Sequence, residues 1–391
     1  MYSDLFSKTP LSMSSFKEEE WFDVFPDLKK LSQTPQDPIF HAEGDVWTHT
    51  KMVIEELLKD NFYQKADATT RFVLFQSALL HDISKPQCTK REEDGRITSK
   101  GHSTMGAIDA RIALWKKEVP FEVRERICRI IATHQVPFFA LGHDRQGRHP
   151  LFTLHQLSWE GRLCDLSTVA KADMRGRQSI HQKNALDDLE LFDLLAQEEN
   201  CLMQGKAFAS PHTRLQYIRE KGNIALDYPF FQEKGSKVVV MSGLPASGKD
   251  TYVKQHYPHL EVVSFDDAKA SLGIKHGENA GRAVHMVIDR AKELLASHQS
   301  FVWNATHISP DMRKKTLDLL YQYHAEVELV YLEQPYSVLM QRNQNRDTTL
   351  SNKNLEEMFF KWDVPLPYEA HHVCYNVAPS PTSLLKPKLK K

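Results

Sequence analysis

VVVMSGLPASGKDTYVKQ, residues 238 to 255, decides the fold of the second half of this chain. An apolar run from Val238 to Met241 leads into Gly243, four variable residues, then Gly248 and Lys249. A strand that becomes a helix through a GxxxxGK loop aims backbone N–H groups and a helix N-terminus at an anion. The lysine adds a point charge for the outer phosphates of a nucleoside triphosphate. Gly243, Ser247, Gly248, Lys249, Asp250 and Thr251 are therefore the candidate ATP-binding residues. One position departs from the pattern. Asp250 stands where a Ser or Thr hydroxyl would hold Mg²⁺. The metal could meet Thr251, or Asp250 directly or through water, and the sequence leaves this open.

Outward from the loop, short Val-rich runs (KVVVMSG, LEVVSF, FVWNAT, AEVELVYLE) alternate with helical stretches such as ENAGRAVHMVIDRAKELLASH and SPDMRKKTLDLLYQY. That alternation predicts a parallel α/β domain over residues 236–378. The first half has a different grammar. WTHTKMVIEELLK, ATTRFVLFQSALLHDIS, TMGAIDARIALWKK, FEVRERICRIIATHQ and TLHQLSWEGRLCDLSTVAKADM each place apolar residues three and four apart. They predict an all-α bundle over residues 1–195. Residues 196–235 read as a connector, and the Pro- and Lys-rich tail 379–391 as a disordered basic extension.

At 391 residues the chain accommodates two domains. Its net charge of −1 excludes a polycation, so any nucleic-acid contact must come from local basic residues. Five scattered cysteines without a CxxC pair read as reduced thiols, not as a disulfide frame or zinc knuckle. No 18-residue apolar stretch suggests a membrane span, and the first residues lack a signal-peptide pattern. A cytoplasmic location is expected.

A kinase needs more than a phosphate loop. VVSFDDAK puts Asp266 and Asp267 at the end of the second predicted strand, where ligand crevices of such sheets lie. An aspartate carboxylate can take the proton of an attacking hydroxyl, and Asp266 is the candidate base. A helix cap is the other use for such a residue. Lys269, three residues on, would hold a substrate phosphate. In MQRNQNRD, Arg342 and Arg346 are four apart, so one helix face would carry both as a lid over the triphosphate. Loop, DDxxK and paired arginines, in this order, resemble the 5′-hydroxyl polynucleotide kinases of phage and bacterial RNA repair. That resemblance makes Lys249 the phosphate lysine, Asp266 the general base, Arg342 and Arg346 the lid, and Lys269 a grip on the acceptor's 3′ phosphate. Asn304, Thr306 and His307 stand where that family carries Asp-Thr-Asn or similar, and take no role.

LLHDISKP, residues 79–86, anchors the first half. His81 and Asp82 join His49 upstream, His102 and His134 downstream, and Asp173 in KADMRGR. A mixed N/O site needs ligands from several helices, because one turn cannot surround a metal. The order His, His-Asp, His, His, Asp resembles the metal frame of HD-domain phosphohydrolases. FPDLKKLSQTPQDPIFHAEGDVWTHT and AKADMRGR are similar to the HD domain appended to tRNA nucleotidyltransferases. His49, His81, Asp82 and Asp173 would build one divalent site, and His102 and His134 a second. The metal would be Mn, Fe, Co, Ni or Zn. Asp82 and Lys85 are candidate catalytic groups, Lys85 neutralising the substrate phosphate, with Arg175 and Arg177 assisting. His41, His143, His149 and His155 match no part of the frame and read as structural.

Together the halves resemble bacterial fusions of an HD phosphoesterase with a P-loop polynucleotide kinase. The resemblance implies an end-healing enzyme. It would phosphorylate 5′-OH ends with ATP and Mg²⁺, hydrolyse 2′,3′-cyclic, 2′- or 3′-phosphate ends with a transition metal, and leave joining to a separate ligase. The ends would be those of RNA, with DNA also open. Two other readings are a small-molecule nucleoside kinase fused to a nucleotidase, and a silent nucleotide-sensing module.

Overall fold

The computed structural model describes residues 2–141, 149–179, 182–274, 281–345 and 350–379. The chain divides into two compact units, Met1–Ala207 and Phe208–Lys391. The proposed basic tail, His143 and Arg346 lie outside the described residues, except for the tail's first residue.

The first unit is helical. Its main helices are α1 (Val46–Lys59), α2 (Ala68–Leu80), α3 (His102–Lys116), α4 (Phe121–Thr133), α5 (Pro150–Ser158), α6 (Leu163–Arg175) and α7 (Gln182–Glu198). Local signals set their starts. Asp45 accepts the Thr48 N–H at 2.9 Å to cap α1, and Asp67 caps α2 in the same way. The periodic stretch 153–174 is two helices, not one, because the chain turns at Trp159–Arg162 with Gly161 in the turn. A two-residue hairpin, Lys90–Arg91 against Ile97–Thr98, also interrupts the helices. It is too short to show as alternation. The apolar faces of α1, α2, α4 and α6 close on one core that includes Trp21, Val53, Leu74, Phe75, Ile127 and Val169. Fully burying one such side chain stabilises the fold by about 1.5–3 kcal/mol. α6 ends close to α1: a Cβ on Gly176 would stand 2.7 Å from the Val53 nitrogen. The end of α6 therefore carries Asp173 in beside His49.

The second unit holds a five-stranded parallel sheet. Helix α8 (Pro211–Arg219) precedes β1 (Lys237–Ser242), α9 (Lys249–His256), β2 (Glu261–Ser264), α10 (Phe265–Ser271) and α11 (Gly281–Ala296). Then come β3 (Phe301–Asn304), α12 (Pro310–Gln322), β4 (Glu326–Glu333), α13 (Tyr336–Gln344), α14 (Asn352–Phe359) and β5 (His372–Val377). The strand order is β2-β3-β1-β4-β5. β1 is central and buried from Val238 to Ser242, as its unbroken apolar run requires. The chain leaves β1 to one side for β2 and β3, then crosses to β4. That reversal opens a crevice at the carboxyl ends of the strands. Residues 196–235 do not form one piece: they hold the end of α7 in the first unit and α8 in the second.

All five cysteines are free. No helix among the described residues is long and apolar enough to cross a membrane.

Candidate functional site

Helix ends build the cluster in the first unit. His49 lies in the first turn of α1, and His81 and Asp82 follow the last turn of α2. His102 opens α3, His134 follows α4, and Asp173 sits near the end of α6. All six are buried. Successive ring centroids stand 5.5 Å (His49–His81), 5.3 Å (His81–His134) and 5.5 Å (His134–His102) apart. Asp82 lies among them. Its oxygens are 3.1 Å from His81 Nε2, 3.2 Å from His102 Nε2 and 3.9 Å from His49 Nε2.

Tautomers follow from the backbone. His81, His102 and His134 each give Nδ1–H to the carbonyl three residues back: Ala78 at 2.8 Å, Ser99 at 2.7 Å and Ile131 at 2.8 Å. A carbonyl can only accept, so Nε2 of each ring is turned to the cluster. His134 Nε2 is buried with no hydrogen-bond partner, while His81 Nε2, His102 Nε2 and Lys85 Nζ all crowd the Asp82 carboxylate. Buried polar atoms are nearly always satisfied, so an unpartnered ring nitrogen beside a shared buried carboxylate makes the cluster a candidate cation site.

Charge agrees with geometry. Burial pushes His134 down to about 3, so its ring is neutral. Burial raises Asp82, but the neighbouring His81 and Lys85 charges outweigh it and hold the carboxyl well below its usual range. Burial lowers His81, yet Asp82 and Asp173 override it and raise the ring. Imidazoles and a carboxylate fit a divalent transition metal. Two sets of donors share Asp82: His49–His81–Asp82 and Asp82–His102–His134.

Of three expected substrate contacts, Lys85 and Arg177 pair with cluster carboxylates and Arg175 stands away from them. Lys85 is buried, 2.8 Å from Asp82 Oδ2, and donates to Gln36 Oε1 at 2.7 Å. It is committed to the ligand carboxylate. Arg177 holds Asp173 through Nε and Nη2. Asp173 Oδ1 also lies 3.0 Å from His49 Nε2, so this carboxylate is shared between a ring and a guanidinium. Arg175 pairs with Asp60 at 3.4 Å, past the other end of α1, on a separate cleft of about 460 Å³ with Lys59, Lys171 and Asp193. Glu43 is absent from the expected frame, and His41 is more than the structural residue its sequence context suggests. Glu43 Oε1 stands 2.8 Å from His41 Nδ1 and 2.9 Å from His49 Nδ1, completing a third donor set.

In the second unit the loop after β1 opens at Gly243, with φ +144°; a Cβ there would meet the Leu332 carbonyl at 2.4 Å. Its N–H donates to Thr306 O at 2.8 Å. Lys249 Nζ donates to the Gly243 and Leu244 carbonyls at 2.9 and 3.0 Å. The buried Ser247 Oγ has no partner. Asp250 and Thr251 are both exposed, and Asp250 Oδ1 accepts from Asn304 Nδ2 at 2.7 Å. His307, left without a role in the sequence, lies buried beneath the loop, bonded to Met241 O at 2.8 Å and Thr316 Oγ1 at 3.0 Å.

The acceptor side is open. The Asp266 side chain is 84% exposed and lies 3.5 Å from Lys269. Ser264 caps α10 by accepting the Asp267 N–H, so Asp266 is not spent as a cap. Lys269 stands over the Phe265 ring. Arg342 is exposed in the last turn of α13, and its Nη1 is 3.5 Å from where a Cβ on Gly248 would be. α13 is described to Gln344, and Arg346, expected on the same face as Arg342, lies outside the described residues.

Residues 238–362 match a family model described as "AAA domain". The second unit carries a P-loop nucleotide-binding domain. Against curated proteins, the chain is 39% identical over 62 residues to the multifunctional CCA protein of Thioalkalivibrio sulfidiphilus, 16% of this chain and 13% of that protein. It is 31% identical over 110 residues to the CC-adding tRNA nucleotidyltransferase of Thermus thermophilus, 28% and 24% of the two chains. It is 27% identical over 187 residues to the multifunctional CCA protein of Shewanella frigidimarina, 44% and 42%. The chain thus spans less than half the length of each. Among solved structures, one from Chloroflexus aurantiacus J-10-fl, named provisionally as a kinase, covers 38% of this chain and 88% of its own, with 18% identity and a TM-score of 0.32.

Proposed function

We propose that this chain heals nucleic-acid ends. The P-loop domain phosphorylates 5′-OH ends, and the helical unit hydrolyses 2′,3′-cyclic, 2′- or 3′-phosphate ends. The observation that carries the reading is the coexistence, in one chain, of a phosphate loop and a buried His/Asp cluster whose ring nitrogens turn toward one shared carboxylate.

In the P-loop domain Lys249 meets the β- and γ-phosphates, leaving its loop carbonyls when nucleotide arrives. Asp266 accepts the proton as the 5′ oxygen bonds to the γ-phosphorus and the β–γ bridging oxygen departs with ADP. Arg342, poised over Gly248, answers the charge that gathers on that oxygen. The exposure of Asp266 suits an acceptor as large as a polynucleotide end.

In the helical unit His49, His81, Asp82, His102 and His134 hold a divalent transition metal, one ion or two. Such an ion lowers the pKa of water towards neutrality and polarises phosphoryl oxygens. Lys85 and Gln36 keep the Asp82 carboxylate in place, and Arg177 does the same for Asp173. The partners are RNA or DNA ends, a nucleoside triphosphate and a separate ligase.

The test is one oligoribonucleotide bearing a 5′-OH and a 2′,3′-cyclic phosphate, incubated with ATP, Mg²⁺ and Mn²⁺. Wild type changes both ends, Lys249→Ala leaves only the 5′ end unchanged and Asp82→Ala only the 3′ end. A wild type that leaves both ends intact while phosphorylating free nucleosides overturns the proposal.

A further inference from the structure

The bond between Asp250 and Asn304 links the anomalous loop position to the neighbouring strand. P-loop enzymes hold Mg²⁺ with a hydroxyl after the lysine and a carboxylate from a strand end. Here the carboxylate stands on the loop instead. An acid follows Lys249, and an amide ends β3, the strand beside β1, where Asn304 is in register with Met241. The two side chains meet at 2.7 Å. Asn304 Oδ1 is buried without a partner, as is Ser247 Oγ in the same loop. Thr251, the competing candidate, is exposed like Asp250 but is not the residue bonded across the crevice to the β3 end.

We propose that the metal-site carboxylate has moved from strand to loop, so that Asp250 holds the Mg²⁺ of Mg·ATP and Asn304 positions it. The proposal rests on the nucleotide-binding reading of the P-loop domain. One carboxylate is kept at the metal, and only its point of attachment has moved, from strand to loop. Asn304 Nδ2 donates to Asp250 Oδ1 and so fixes the rotamer of a side chain that would otherwise be free in solvent. A serine or threonine at 250 would be too short to need such a partner. An aspartate at 304 would repel Asp250 wherever no cation lay between them.

The decisive measurement is binding of β,γ-methylene ATP to the full chain by calorimetry, with excess EDTA and again with Mg²⁺. Wild type should bind about tenfold or more tightly with Mg²⁺, and Asp250→Asn should lose most of that gain while binding in EDTA at least as tightly as wild type, since a carboxylate repels the metal-free phosphates. Asp250→Asn combined with Asn304→Asp returns the carboxylate to the strand and should restore the gain to within about threefold of wild type. Asn304→Asp alone should weaken binding in EDTA and enlarge the Mg²⁺ effect. The proposal is overturned if Asp250→Asn keeps the full Mg²⁺ gain, or if Thr251→Ala abolishes it and Asp250→Asn does not. A wild type that binds the analogue in neither condition overturns the nucleotide reading itself, a different and recognisable result.

Discussion

Arg177 clasps Asp173 through two N–H bonds, Nε to Oδ1 at 3.0 Å and Nη2 to Oδ2, with its guanidinium 5.0 Å from the Phe138 ring centre. The aspartate is fully buried and the arginine nearly so. This is a positioning contact: it holds the carboxylate that faces His49. Arg177→Ala would leave the buried Asp173 charge with His49 as its remaining hydrogen-bond partner, a loss of up to about 3–5 kcal/mol. Urea unfolding of the full chain should show a midpoint well below wild type, with Arg177→Lys intermediate because it keeps charge without the fork. Wild-type unfolding combined with weakened phosphate binding would instead return Arg177 to the substrate.

Glu43 offers a second test in the same unit. Burial raises its carboxyl, but the bonds with His41 and His49 and the Gln178 N–H prevail and hold it well below the usual range. A carboxylate on Nδ1 of His49 directs Nε2 into the cluster, and losing such an outer partner typically costs about 10–100-fold in metal affinity. Calorimetric titration with Mn²⁺ should find that loss in Glu43→Gln, with β,γ-methylene ATP binding at the P-loop unchanged. Equal Mn²⁺ affinity in the two proteins would make Glu43 a purely structural residue.

The His/Asp cluster is legible in the sequence because its residues are of metal-ligating types and come in an order that resembles a known frame, and the fold places each at a helix end. Glu43 is not, since nothing in HAEGDVWTHT distinguishes it from a surface acid until α1 turns His49 back beside it. The departure at Asp250 is plain in the sequence, but its partner is not. Asn304 lies 54 residues on, and only the parallel register of β1 with β3 brings the two together. β5 escapes notice because HVCYNV is an edge strand, largely exposed and without the apolar run of the inner strands. Arg177 misleads for a general reason. An arginine near a phosphate site and an arginine paired four residues back on its own turn look alike in one dimension.

Gly243 and Gly248 differ in what surrounds them, although the motif treats them alike. Both have positive φ, +144° and +101°, so any side chain costs backbone strain of about 1–3 kcal/mol. At 243 a Cβ also collides with the Leu332 carbonyl of β4, a backbone held in the sheet opposite Asn376 of β5. At 248 the nearest atom is the end of the flexible Arg342, at 3.5 Å. Gly243→Ala should therefore lower the thermal midpoint more than Gly248→Ala, while both weaken ATP-analogue binding. Equal midpoints would mean that β4 yields.

His307 should make the P-loop domain sensitive to acid. Burial, with Arg313 and Lys249 nearby, lowers the ring to about 4 despite the bond to Met241 O. An unfolded histidine titrates near ~6.5. Above about pH 6.5 the ring is neutral in both states and contributes no pH dependence. As pH falls from there to about 4, the unfolded chain takes up a proton that the folded one refuses. Stability should then drop by about 1.4 kcal/mol per pH unit, levelling off below the folded value. His307→Asn removes the titration while keeping a donor for Met241 O, and asparagine tolerates the positive φ of 42° found here. Hydrogen exchange of the Val239 to Met241 amides, followed between about pH 7.5 and 5, should show protection falling faster in wild type than in the variant. Parallel decline in the two would place the acid sensitivity of this sheet on other groups.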